Sequence, residues 1–207
     1  MPIPLFHADA DLLVVDKPTL LLSVPGRGPD KQDCLVSRLA AGYGEVLAVH
    51  RLDWETSGLM VLARNKAAHR ELSLQFQQRE VAKQYTAVVY GRVVAERGEV
   101  ALPLICDWPN RPRQMVDLER GKPSLTLWEM VERGEAASRL LLTPVTGRSH
   151  QLRVHMRSQG HPILGDPLYA EGVALTMAPR LLLHATRLAF RHPSSGETMT
   201  FDSPAPF

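Results

Sequence analysis

A chain of 207 residues with a formal net charge of +2, 44% hydrophobic and 22% charged, has the makeup of an ordinary folded domain. At this length it buries on the order of 70% of its unfolded surface, so it needs neither a disulfide framework nor a structural metal. The opening MPIPLFHADADLL carries acids ahead of its apolar run and no basic segment, which excludes a signal peptide, and no stretch approaches the ~20 apolar residues of a membrane span. Cys34 and Cys106 lie far apart with no CxxC or Cys/His cluster, so they read as reduced core residues of a cytoplasmic protein with no membrane partner.

In chain order, the pattern predicts a strand over 12–16 and then a helix over 33–41. That helix carries Leu35, Val36, Leu39 and Ala40 on one stripe and is stopped by Gly42. Strands over 46–49 and 59–63 bracket a polar turn. A second helix over 66–78 follows, with Asn65 as N-cap and Ala68, Leu72 and Phe76 inward. The run 85–91 alternates, placing Tyr85, Ala87 and Val89 on one face. After the irregular segment 109–112, strands are expected over 124–131 and 139–145. A third helix over 149–159 is expected to point Leu152 and Met156 inward and Arg153 and Arg157 outward, with Gly160 closing it. Strands over 180–190 and 199–202 complete the chain. Many strands, few helices and no βαβ alternation argue for an α+β fold with a mostly antiparallel sheet, read as one domain.

Charge is clustered rather than large. Between Arg64 and Arg92 six basic residues face only Glu71 and Glu80, and between Arg148 and His161 three arginines and three histidines meet no acid. A solvated helix face is the commoner meaning of such a run, but two acid-poor segments favour a phosphate-rich partner.

Four segments carry chemistry. In His50-Arg51-Leu52-Asp53-Trp54-Glu55-Thr56-Ser57-Gly58 a carboxylate sits on a turn between apolar runs. It reads either as a hairpin turn capped by Asp53 or as a reactive carboxylate at a sheet rim, kept ionised by Arg51. In Lys83-Gln84-Tyr85-Thr86-Ala87 a strand tyrosine is either core or an aromatic wall for an extruded base. In Thr146-Gly147-Arg148-Ser149-His150-Gln151-Leu152-Arg153-Val154-His155 a turn opens a helix whose first N–H groups suit phosphate. His150 and His155 are five apart and lack a nearby cysteine or carboxylate until Asp166, so metal binding is disfavoured. In Asp107-Trp108-Pro109-Asn110-Arg111-Pro112-Arg113 an aromatic beside arginines is either a packed corner or a stacking clamp for single-stranded RNA.

These residues resemble the RluA-type pseudouridine synthases almost end to end: HRLDxxTSG at 50–58, KxYxAxVxG at 83–91, TGRxHQLRxH at 146–155 and GHPILGD at 160–166. The resemblance implies a long mixed sheet in two halves with flanking helices and a central basic cleft. It implies isomerisation of uridine to pseudouridine within RNA, with Asp53 catalytic and Arg51 entering the RNA where the base departs. Tyr85 would stack on the base, and Arg148 would be the buried arginine that pairs with the aspartate. Lys83, His150 and Arg153 are expected as phosphate contacts. Segments 102–114, 177–185 and 199–201 extend the likeness to the subgroup that modifies uridine 32 of tRNA anticodon stem-loops and uridine 746 of 23S rRNA.

The resemblance further implies that the C1′–N1 bond breaks and the base rejoins through C5 without redox change or net water, so no cofactor and no metal is expected. A monomer without an obligate protein partner is expected. The first motif starts by residue 11, so no S4-like RNA-binding domain is expected ahead of it, and recognition falls to residues 1–207. One departure stands out: in Asp16-Lys17-Pro18-Thr19-Leu20-Leu21 a leucine, Leu20, occupies the family's glycine position, so a local adjustment away from positive φ is expected. A basic RNA-binding factor without chemistry is the rival reading, and a metal-dependent hydrolase lacks ligands.

Overall fold

The computed structural model describes residues 3–207. Its backbone divides into two compact units. One runs through Lys83 and is completed by His184–Pro206, and the other comprises Gln84–Leu183 with Phe207.

The first unit begins with β1 (Leu5–Ala8) and β2 (Leu12–Lys17), followed by α1 (Leu35–Tyr43), β3 (Leu47–Ala48), β4 (Ser57–Ala63) and α2 (Lys66–Gln78). β5 (Ala82–Tyr90) starts here and carries the chain onward. In the second unit follow β6 (Arg97–Val100), β7 (Leu104–Cys106), β8 (Gln114–Val116), β9 (Thr126–Arg133), β10 (Ala137–Pro144), α3 (Gln151–Ser158) and α4 (Gly172–Thr176). β11 (Leu183–Arg191) and β12 (Thr198–Asp202) return to the first unit.

In the first unit β2 pairs antiparallel with both β1 and β4, β3 pairs with β4, and β12 pairs with β11. β11 runs parallel to β4 through His184 opposite Ser57 and Ala185 opposite Gly58, so the sheet is mixed. Every residue of β4 is buried, the mark of a strand covered on both faces. Gly58 adopts φ +116, and a Cβ there would stand 2.4 Å from the backbone of Ala185, so only glycine lets these strands approach. α2 covers this sheet with Ala68 and Leu72, starting where the Asn65 side chain accepts the Ala68 N–H at 2.9 Å. Fully burying a leucine such as Leu72 is worth about 1.5–3 kcal/mol, so the amphipathic face, more than local propensity, holds the helix.

In the second unit β10 lies between β5 and β9, and β6 pairs with β9, all antiparallel. β7 and β8 form a separate ribbon. Ala87 and Val89 from β5 and Leu140 and Leu142 from β10 build the core with Leu152 and Met156 of α3.

The α+β class and the order of the main elements are as expected. Four strands (β1, β6, β7, β8) and the short α4 lay outside the sequence pattern, because they are brief or polar. α1 continues through Gly42 and ends at Gly44, whose φ of +77 and N–H bond to the Ala40 carbonyl make the stop. Cys34, buried, caps α1 through its thiol, while Cys106 is only half-buried, so the expectation of two core cysteines holds for the first alone. No described helix is long and apolar enough to cross a membrane.

The largest local departure is Leu20. The expected adjustment away from positive φ does not occur: Leu20 holds φ +59 with its side chain exposed. A left-handed L-residue costs roughly 1–2 kcal/mol, partly offset in a glycine by greater freedom of the unfolded chain. Leu20→Gly is therefore expected to raise stability by roughly 0.5–1 kcal/mol, a rise of a few degrees in Tm by calorimetry.

Candidate active site

The Asp53 turn is built within the first unit, and the segment after β2 fixes it. Ser23, buried, donates its hydroxyl to the Leu52 carbonyl at 2.8 Å and accepts the Leu52 N–H at 3.1 Å, replacing the strand neighbour this residue lacks. Thr19 donates to the Glu55 carbonyl at 2.7 Å. Lys17, fully buried, gives its ammonium to the carbonyls of Leu21 at 2.8 Å, Pro18 at 2.9 Å and Trp54 at 3.5 Å. The turn closes with the Thr56 N–H donating to the Asp53 carbonyl at 3.2 Å. Backbone groups on both sides of Asp53 are therefore held by side chains, which fixes where the carboxylate is presented. Leu52 is buried, Asp53 half-buried, and Arg51 and Trp54 are exposed. Sequence reasoning missed Lys17, Thr19 and Ser23 as anchors, since none follows a periodicity.

His50 secures the entry to the turn. Its Nε2 accepts the Val61 N–H at 3.1 Å, and its ring stacks on Phe76 at 4.5 Å between centroids. The Lys83 ammonium lies 5.7 Å from the centre of the same Phe76 ring, a cation–π arrangement, and burial lowers its pKa. Burial, with the Lys83 charge adding to it, pushes His50 down to about 3. An acceptor at Nε2 requires the neutral ring, in agreement with that direction. The unfolded ring titrates near its ordinary value of 6.5, so below that pH the unfolded chain binds protons that the folded one refuses. Stability is expected to fall as pH drops from 6.5 towards 3. Urea midpoints at pH 7 and pH 5 measure the decline, which His50→Gln is expected to make shallower.

The second unit holds the remaining candidates. Tyr85 on β5 stands opposite Leu142 of β10 and packs, partly buried, against the Ala87–Leu142 core. The turn before α3 is organised by Gln151, buried at 3% exposure. Its Oε1 accepts the Thr146 hydroxyl at 2.7 Å and the Arg148 N–H at 3.0 Å, and its Nε2 donates to the Leu125 carbonyl and Thr126 hydroxyl, both at 3.0 Å. This leaves Arg148 exposed, with its Nε donating to the Pro123 carbonyl at 3.3 Å. His150 takes the left-handed conformation at φ 54, and its Nδ1 lies 2.7 Å from the Tyr169 hydroxyl, which accepts the Gln114 N–H at 2.7 Å.

Two expectations for this segment are corrected. Arg153 does not point outward as a phosphate contact: its side chain is fully buried and grips Asp166 bidentately, Nε to Oδ2 at 2.8 Å and Nη2 to Oδ1 at 2.6 Å. Asp166 also accepts the N–H groups of Leu168 at 2.9 Å and Tyr169 at 3.1 Å, so its charge is satisfied on several sides. The buried arginine of the segment is thus Arg153, and Arg148, expected to be buried, is the exposed one. The physical reason is Asp166: it lies beyond the helix in sequence, and only a paired carboxylate there lets a guanidinium leave water.

The histidines of this segment are engaged individually. Besides His150, His155 meets the Thr126 hydroxyl at 2.8 Å and the Leu102 carbonyl at 3.0 Å, with burial lowering its pKa against the opposing effect of that carbonyl. His161 meets the Tyr90 carbonyl at 2.9 Å. Among the described residues no cluster of His, Cys, Asp and Glu has a metal-binding arrangement. On the 107–113 loop Trp108 is 65% exposed, and the Arg111 guanidinium lies 4.7 Å from its ring centre. Such a solvent-facing aromatic–arginine pair can stack on unpaired bases.

The sequence pattern of the family described as RNA pseudouridylate synthase matches residues 11–158. The dual-specificity RNA pseudouridine synthase RluA of Pasteurella multocida is 52% identical over 202 residues, covering 97% of this chain and 92% of that protein. The protein of the same name from Escherichia coli is 52% identical, covering 98% and 93%. Among solved structures, human RNA Pseudouridylate Synthase Domain Containing 1 superposes with a TM-score of 0.84 at 30% identity, covering all of this chain and 84% of that one.

Proposed function

Since the chain belongs to the RNA pseudouridylate synthase family, we propose that it isomerises uridine to pseudouridine in two RNAs, at uridine 32 of tRNA anticodon stem-loops and uridine 746 of 23S rRNA. The observation that carries this reading is the pinned turn, which presents a half-buried carboxylate, Asp53, beside an exposed Arg51.

The reaction breaks C1′–N1 and joins C1′ to C5, whose proton is lost while N1 gains one, so atoms balance without a cofactor. Asp53 acts at the sugar, where an ionised carboxylate serves as nucleophile, as base for a ribose proton or as partner to oxocarbenium character. Arg51, exposed on the same turn, occupies the place the base vacates, and loop RNA lowers the few kcal/mol that unstacking costs. Tyr85 offers its ring as the wall against which the base lies. His150 contacts phosphate, with Lys83 a further contact from the start of β5. The TGRxHQLRxH motif gives the place of the aspartate's arginine partner to Arg148, and Arg153, whose guanidinium is taken up by Asp166, is not available for it. We further propose that the protein works as a monomer in the cytoplasm.

The test uses tRNA and a 23S rRNA fragment carrying tritium at uracil C5. Tritium release from both, with pseudouridine mapped at the two positions, is the expected result. RNA bound without release would favour a binding factor that performs no chemistry.

A further inference from the structure

Behind the Asp53 turn runs a buried polar chain that the reaction scheme does not use. His184, at the start of β11, is 1% exposed, with Ser57 at 3% and Ser203 at 4%. His184 Nδ1 lies 2.9 Å from the Ser57 hydroxyl and its Nε2 lies 3.2 Å from the Ser203 hydroxyl. Ser203 in turn donates to Asp16 Oδ2 at 2.6 Å, and that carboxylate stands 3.8 Å from His184 Nε2.

The chain has a direction. A carboxylate only accepts, so the Ser203 proton goes to Asp16 and its oxygen is left to accept from His184 Nε2–H. The other ring nitrogen, Nδ1, carries the chain on to the Ser57 hydroxyl. Asp16 is also the chain neighbour of Lys17, whose ammonium holds the Trp54 carbonyl. The contacts therefore form a circuit: from Trp54 just after the aspartate, through Lys17 and Asp16 of β2, Ser203 and His184, to Ser57 where the turn enters β4. The N–H of Ser203 adds a further tie, donating to the Thr186 carbonyl at 2.8 Å. Gly58 and Ala185, in backbone contact beside it, leave no slack at this corner.

We propose that His184, Ser203 and Asp16 are positioning residues for the reaction: through Ser57 they fix the exit of the turn and hence the placement of the Asp53 carboxylate. A merely stabilising network would lower Tm and leave the chemistry of folded protein intact. A positioning network changes the chemical step, because a displacement of about 1 Å at a reacting group can cost on the order of 10²-fold in rate. The inference rests on the reading of Asp53 as the reacting group.

The experiment is single-turnover tritium release from the loop RNA, beside RNA affinity and Tm, for Ser203→Ala, Ser57→Ala, their double variant and Ser203→Thr. Ser203→Ala is expected to slow the chemical step about 10-fold at saturating RNA, with Kd within about twofold of the parent. The double variant is expected to be no slower than the slower single one, since both cut the same chain. Ser203→Thr, which restores the hydroxyl, is expected to recover most of the rate. If Ser203→Ala proves unfolded, Ser57→Ala carries the same expectation alone.

Parent-like rates in the folded alanine variants overturn the proposal, as do effects that multiply in the double variant or a loss confined to Kd. Absence of release by the parent overturns the reading of the site itself and the proposal with it. Release undiminished in Asp53→Asn overturns the role of Asp53 separately from these variants.

Discussion

Asp53→Asn is expected to abolish pseudouridine formation, by on the order of 10⁴-fold or more, while affinity for RNA stays within about threefold. The substitution is nearly isosteric and leaves the turn's backbone bonds intact: Ser23 holds Leu52, Thr19 holds Glu55 and Lys17 holds Trp54, none through the carboxylate. The charge and nucleophilicity at the sugar are lost. Filter binding beside tritium release separates the two quantities. Loss of binding together with rate would instead make Asp53 a structural turn residue, the plainer of the two readings its sequence context allows.

The second large effect concerns stability. Asp166→Asn is expected to destabilise the fold by about 3–5 kcal/mol, because it leaves the Arg153 guanidinium buried with its bidentate partner gone. For a chain of this size that corresponds to a fall in Tm of roughly 6–20 °C. Replacing both members by apolar residues of similar volume, Arg153→Met with Asp166→Leu, is expected to recover a substantial part of the loss. What costs energy is the orphaned charge, and the intact pair itself contributes little net. Thermal unfolding of the three variants checks both statements. If Asp166→Asn melts with the parent, the pair is more hydrated than its burial indicates.

What the sequence made legible follows from range. α2 was found at its observed bounds because Asn65 and the 68/72 stripe are local signals separated by one or two turns. The Asp53 turn was legible for the same reason: apolar runs on both sides, polar residues between. Arg153 was misjudged because its partner, Asp166, lies past the helix and a loop, and helical spacing cannot report a carboxylate that returns from elsewhere. Leu20 was misjudged because intrinsic preference disfavours positive φ, whereas bonds from Lys17 and Thr19 on the same segment to Trp54 and Glu55 hold the backbone in place. Edge strands such as β6, Arg97–Val100, carry too few apolar residues to announce themselves.

The return of the chain at His184 has a consequence for synthesis. A ribosome that has delivered residues up to 183 has supplied nearly all of the second unit, while the first still lacks β11 and β12. Until those strands emerge, β4 has no parallel neighbour, and Ser57 meets neither His184 nor anything His184 reaches. About 100 residues are translated in between, which at 5–20 residues per second keeps the N-terminal segment waiting on the order of ten seconds. The half that carries Asp53 is begun first and finished last. A nascent chain can thus expose its basic surfaces to surrounding RNA well before it is able to alter any of it.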